Sequence, residues 1–192
     1  DPAASGMEDV GDGAMWLDGR YRAWLAQAGL SDFDAVMASR DGRCLRALKD
    51  RENWRFELPD AQAPRGVFLK KHHVWSGWSW LRAKLGLGPG WTPGLVEARN
   101  AVRLAQGAIP VMNVLAYGEK LHRTGLAESF VLTEELAGYT QLKDFLRRRF
   151  PPRGATGARR DPELKKLLIK VALLARRFHE AGYNHRDFYC CH

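Results

Sequence analysis

His185-Arg186-Asp187, close to the last residue, sets a carboxylate beside two basic side chains. In phosphoryl transfer an Asp in such a loop accepts the proton of the attacking hydroxyl. That chemistry also needs a cation on the phosphates and an acid to hold the cation in place. Lys70 ends the apolar run Val67-Phe68-Leu69, and Glu97 follows it on a separate segment. Taken singly, each is weak. His-Arg-Asp recurs by chance in solvated loops, a strand-end Lys is usually an exposed edge residue, and an acid early in a helix is favoured by the helix dipole alone. Lys, Glu and Asp in this order favour the joint reading.

The elements around them are built to position them. Val67 to Lys70 reads as a short strand. Thr92-Pro93 supplies an N-cap and a first-turn Pro, after which Leu95, Ala98, Ala101, Val102 and Ala105 recur at helical spacing around Glu97. Asp161-Pro162 starts a second, longer helix. Leu164, Leu167, Leu168, Val171, Leu174, Ala175 and Phe178 give it one apolar stripe, and Gly182 and Asn184 suit a left-handed exit that delivers His185 to Asp187 onto a loop. Val111 to Tyr117 and Phe130 to Leu136 read as two further strands around a polar turn from Gly118 to Gly125, and a helix is predicted near Gln141 to Arg149.

This order is that of protein kinases, whose strand Lys contacts the α- and β-phosphates, whose helix Glu orients that Lys, and whose catalytic loop reads H-R-D-L-x-x-x-N. Here the Asn position is His192. Phe68-Leu69-Lys70-Lys71-His72, Glu97-Ala98-Arg99-Asn100-Ala101, Val131-Leu132-Thr133-Glu134-Glu135-Leu136 and the segment from Ala181 to Asp187 closing on Tyr189-Cys190-Cys191-His192 together resemble the bacterial lipopolysaccharide core kinases, the Kdo/heptose (WaaP-type) family, over residues 43 to 192. The resemblance implies an α+β, protein-kinase-like bilobal fold, with an antiparallel sheet and one key helix in the small lobe. It implies ATP and Mg²⁺ as cofactors and a heptose or Kdo hydroxyl of the lipopolysaccharide inner core as acceptor. Lys70, Glu97 and Asp187 take the phosphate-gripping, Lys-orienting and catalytic roles. Glu134, Glu135 and Leu136 meet the adenine, and His192 sits beside the metal. A protein or small-molecule kinase of the same fold, or a non-catalytic kinase-like binding module, is the alternative.

Two departures from that pattern stand out. The hairpin expected over the phosphates, Cys44 to Leu48 and Trp54 to Leu58, has no glycine in its turn from Lys49 to Asn53, so phosphate contacts there must come from side chains or from a permissive residue such as Asn53. The metal-bridging Asp of this fold follows the catalytic loop, and the sequence ends first. On this reading the chain is incomplete and inactive as a kinase by itself.

Residues 1–42 read as an N-terminal extension, disordered up to Gly13 and then forming two short helices, one carrying Trp16, Tyr21, Trp24 and Leu25 and one carrying Phe33, Val36 and Met37 after a Ser31-Asp32 start. Residues 43–136 read as the small lobe and 137–192 as the start of the large lobe. Among 192 residues, 30 Lys/Arg face 22 Asp/Glu, a net charge of +8. The excess is concentrated between Lys143 and Arg177, with twelve basic against three acidic residues. No nucleic-acid motif accompanies it, so an anionic membrane surface or a phosphorylated glycolipid is the expected partner. With no signal peptide and no membrane-spanning run, the expected place is cytoplasmic, peripheral at the inner membrane. Three cysteines cannot all pair, and Cys190-Cys191-His192 lacks zinc-ligand spacing. Trp75, Trp78, Leu81 and Leu85, beside Arg82 and Lys84, fit either one helical face at a membrane interface or a helix packed on the small lobe.

Overall fold

The computed structural model describes residues 6–11, 13–60, 63–89, 91–150 and 161–184. They form two compact units, residues 1–106 with 111–135, and residues 107–110 with 136–192. The first unit is built on seven strands, β1 (Met7–Val10), β2 (Met15–Asp18), β3 (Arg43–Ala47), β4 (Arg51–Leu58), β5 (Arg65–Trp75), β6 (Val114–Leu121) and β7 (Leu126–Glu134). They run antiparallel in the order β1-β2-β6-β7-β5-β4-β3. Helices α1 (Arg22–Gln27), α2 (Phe33–Ala38), α3 (Gly77–Lys84) and α4 (Pro93–Gln106) complete the unit.

Side-chain alternation along β5 decides what each face of the sheet holds. Val67 and Leu69 are buried against Phe56, Phe130 and Leu132, and this layer is closed by Leu25, Leu30, Phe33, Val36 and Met37 from α1, α2 and the loop between them. On the other face Leu95, Ala98 and Ala101 of α4 pack on Val114, Tyr117 and Val131. Each such Leu, Val or Phe contributes roughly 1.5–3 kcal/mol when fully buried. The sheet is therefore covered on both faces, by the N-terminal helices and by α4.

This corrects the picture of the first 42 residues. Met7–Val10 forms a strand where no order was expected, and β2 pairs with β6 through Met15–Gly118, Trp16–Tyr117 and Leu17–Ala116. Composition near Gly6, Gly11 and Gly13 looks poor in structure because four-residue strands are specified by a distant partner and not by their own propensity. The strands β6 and β7 also run further into the expected turn, which shrinks to His122–Gly125.

In the second unit, α5 (Leu142–Arg149) ends in three arginines and α6 (Pro162–Glu180) has the expected caps. Asp161 accepts from the amides of Glu163 (2.9 Å) and Leu164 (3.2 Å), and Gly182 leaves the helix at φ +81°. No residue of α6 is buried.

Candidate active site

Lys70 sits mid-strand in β5, opposite Asn53 of β4 and Val131 of β7. Its ammonium donates to the Glu97 carboxylate on α4. Both side chains are about one-third exposed, so the pair is open to solvent on one side. An exposed ion pair contributes only about 0–1 kcal/mol to stability. Its consequence is positional: a Lys that has already lost rotamer freedom, on the order of 2 kcal/mol of entropy, has less to lose when an anion arrives.

The seating of α4 fixes Glu97. The Gly94 amide donates to Ser129 Oγ (3.1 Å), and a Cβ on Gly94 would stand 3.0 Å from the Phe130 backbone, so the first turn of α4 lies directly on β7. Thr92 Oγ1 donates to Glu119 (2.7 Å), whose carboxyl is pushed up by burial. His72 shares Lys70's face of the sheet. Burial holds its imidazole below the ordinary value.

A sequence profile of the lipopolysaccharide kinase (Kdo/WaaP) family matches residues 37–192. The chain belongs to this family. It is 34% identical over 169 residues to the lipopolysaccharide core heptose(I) kinase WaaP of Pseudomonas aeruginosa, covering 85% of this chain and 58% of that protein. It is also 34% identical over 157 residues to WaaP of Escherichia coli, covering 79% and 54%. A solved structure, WaaP in complex with acyl carrier protein, superposes with a TM-score of 0.59 at 30% identity over 93% of this chain and 61% of the other. The chain thus spans somewhat over half the length of the WaaP proteins it matches. The expected α+β fold is the one they share.

Within this Kdo/WaaP chain the glycine-free hairpin is present with shifted bounds. Its turn is Leu48-Lys49-Asp50, closed by Leu48 N–H to Arg51 O (2.8 Å) and tied to β5 by His73 N–H to Asp50 O (2.8 Å). Asn53, expected in the turn, lies instead within β4 opposite Lys70, and Arg51 lies opposite His72. Directly opposed residues share a face, so Arg51 and Asn53 face the same side as Lys70. The sequence carried a signal for this, since Arg51, Asn53 and Arg55 alternate with Glu52, Trp54 and Phe56.

Glu134 and Glu135 are more committed than expected. The Glu134 amide donates to Asn113 O and the Glu135 amide to Gly66 O, both at 2.9 Å. Arg55 donates to Glu135 from Nε (3.0 Å) and Nη2 (2.7 Å), which lowers the Glu135 pKa. Glu134 accepts from Asn113 Nδ2 (3.3 Å). Leu136 is exposed and opens the second unit. Asp187 and His192 lie outside the described residues, as do Cys190 and Cys191. Among the described residues no three His, Cys, Asp or Glu side chains are grouped to hold a metal.

Proposed function

We propose that the chain carries the nucleotide-gripping part of an ATP-dependent sugar kinase acting on a heptose or Kdo hydroxyl of the lipopolysaccharide inner core. The observation that carries this reading is the Lys70–Glu97 pair, joined between strand and helix in a family of lipopolysaccharide kinases. Lys70 grips the α- and β-phosphates, and Glu97 holds it there. With no glycine in the hairpin turn, the phosphates meet side chains, and Arg51 and Asn53 stand on the correct face to meet them. The backbone at Glu134 to Leu136 meets the adenine edge. The first two amides are already bonded, which leaves the Leu136 amide as the donor.

Asp187 orients the acceptor hydroxyl and takes its proton. Mg²⁺, when bound with the nucleotide, neutralises charge on the transferring phosphoryl group. The described residues supply no ligand set for it, and His192 is the remaining candidate neighbour. A membrane-embedded glycolipid as acceptor would put the protein's work at the inner face of the inner membrane. No helix among the described residues is long and apolar enough to cross one. A relative is seen in complex with acyl carrier protein, and a carrier of that kind is a second candidate partner.

The glycine-free turn favours a second reading, a kinase-like module that binds without transfer. The test is transfer of labelled phosphate from ATP to deacylated inner-core oligosaccharide by the complete gene product. We expect transfer, and a loss of roughly a hundredfold or more in kcat/KM for Glu97→Gln with an unchanged melting temperature. No transfer at all by the unaltered protein would leave the binding module.

A further inference from the structure

Trp75, Trp78, Leu85 and Trp91 are 64%, 66%, 63% and 81% exposed, on or beside α3 and the Gly-rich loop after it. Soluble surfaces rarely leave so much aromatic area together in water. The segment is not loose, because its backbone is tied at several points. Ser76 and Ser79 form a reciprocal capping box, and Ser79 Oγ also donates to Gly125 O (2.6 Å). The Trp75 indole donates to Thr124 O (3.1 Å), and Arg82 Nε donates to Gly88 O (2.7 Å). Gly125, at φ +85°, permits this docking, since a Cβ there would stand 2.6 Å from Trp80 Cα. The scaffold is fixed while the rings point outward.

Charge says what could cover them. From Ala61 to Val96 there is no Asp or Glu, whereas Arg82 and Lys84 stand on the helix and Arg123 on the adjoining turn. The nearest carboxylates are engaged elsewhere. Glu119 accepts from Thr92 and also lies within the electrostatic reach of Arg82, and Glu128 lies between His73 Nδ1 (2.8 Å) and His122 Nε2 (2.6 Å). The Trp78 and Trp91 indole N–H groups have no partner among the described residues, and with Arg82 and Pro89 these rings line a crevice of about 190 Å³. Exposed indoles with unused donors, bordered by cations and with the neighbouring acids already bonded, match the headgroup layer of an anionic bilayer, where rings sit at the ester level and cations on the phosphates.

We propose that α3 together with Trp75, Pro89 and Trp91 forms a docking surface for an anionic phospholipid bilayer. It rests on the glycolipid-kinase reading for its purpose, while its geometry is independent of that reading. The test is flotation of the chain with phosphatidylcholine vesicles, with and without phosphatidylglycerol, and tryptophan quenching by brominated lipid. Binding should need phosphatidylglycerol and weaken with salt. Trp78→Ser with Trp91→Ser should lower partitioning roughly tenfold or more, and Lys84→Glu with Arg123→Glu should abolish the anionic preference. Leu168→Ser with Leu173→Ser, on the exposed side of α6, should change neither. No flotation of the unaltered chain, binding indifferent to the Trp and charge variants, or binding only to a protein partner such as acyl carrier protein would each overturn the proposal. In the complete gene product the Trp variant should still phosphorylate the water-soluble deacylated acceptor. Absence of transfer by the unaltered protein would remove the kinase reading and leave the vesicle result standing.

Discussion

Lys70 and Lys71 are neighbours in β5 whose ammonium groups lie on opposite faces of the sheet. The Lys70 group meets Glu97 on the solvent-open side under α4, whereas Lys71 is fully buried and donates to the carbonyls of Met37 (3.0 Å) and Ser39 (2.5 Å). The Trp54 ring lies 5.6 Å from the Lys71 ammonium. One strand therefore connects Lys70 to the N-terminal helices. A cation in that layer is costly to desolvate, and it closes the end of α2 onto the sheet.

The burial has a pH signature. Desolvation lowers the Lys71 pKa from 10.5 to about 8. Below pH 8 both folded and unfolded chains hold the proton and the cost is fully present. Between 8 and 10.5 the unfolded chain still binds a proton that the folded chain has released, so stability rises with pH by about 3 kcal/mol in all. Urea melts across that window should show this rise in the unaltered chain and not in Lys71→Met. Parallel curves for the two proteins would mean that Lys71 is not the buried cation.

The pairing of Lys70 with Glu97 was legible because each half carries a local signal, an apolar run before Lys70 and a Thr-Pro start followed by helical spacing, although β5 continues past Lys70 to Trp75 and does not end on it. Gly182 and the caps of α6 were legible for the same reason. The edge strand β1 and its neighbour β2 were not, since β2 is held by β6, a hundred residues away, and β1 pairs only with β2. Asn53 was misplaced because polar residues in a strand look like a turn until the opposite strand is known. Trp75 was grouped with α3, although it closes β5, because helical spacing does not reveal where a strand stops. Lys71 gave no core signal, since a Lys in an alternating strand reads as solvent-facing.

Gly94 is the contact that sets the height of α4 above the sheet. Its Cα faces the Phe130 backbone, which cannot move aside as a flexible side chain would, so any side chain there must lift the first turn of α4. Gly94→Val should cost about 1–3 kcal/mol through overpacking, and Gly94→Ala should lose most of the helix-propensity gain of about 1 kcal/mol to the same contact. Because Glu97 lies one turn further on, ATP affinity should fall together with stability. An Ala variant more stable than the original, by thermal melt, would show that α4 has room to spare.

Under the proposed function Asp187 would separate acceptor chemistry from nucleotide binding. In the proposed mechanism its carboxylate touches the sugar hydroxyl and not ATP, whereas Lys70 touches ATP and not the sugar. Asp187→Asn keeps the shape and removes the charge and the basicity, so transfer should fall by roughly a thousandfold, within the range of about 10²–10⁴ for general-base loss. Nucleotide affinity, read by calorimetry on the complete gene product, should stay within about twofold, a change of under 0.5 kcal/mol. Lys70→Met should give the converse, a weakened ATP complex as well as lost transfer. If Asp187→Asn weakens ATP binding as much as Lys70→Met does, the carboxylate belongs to the nucleotide site and the proton acceptor must be sought elsewhere.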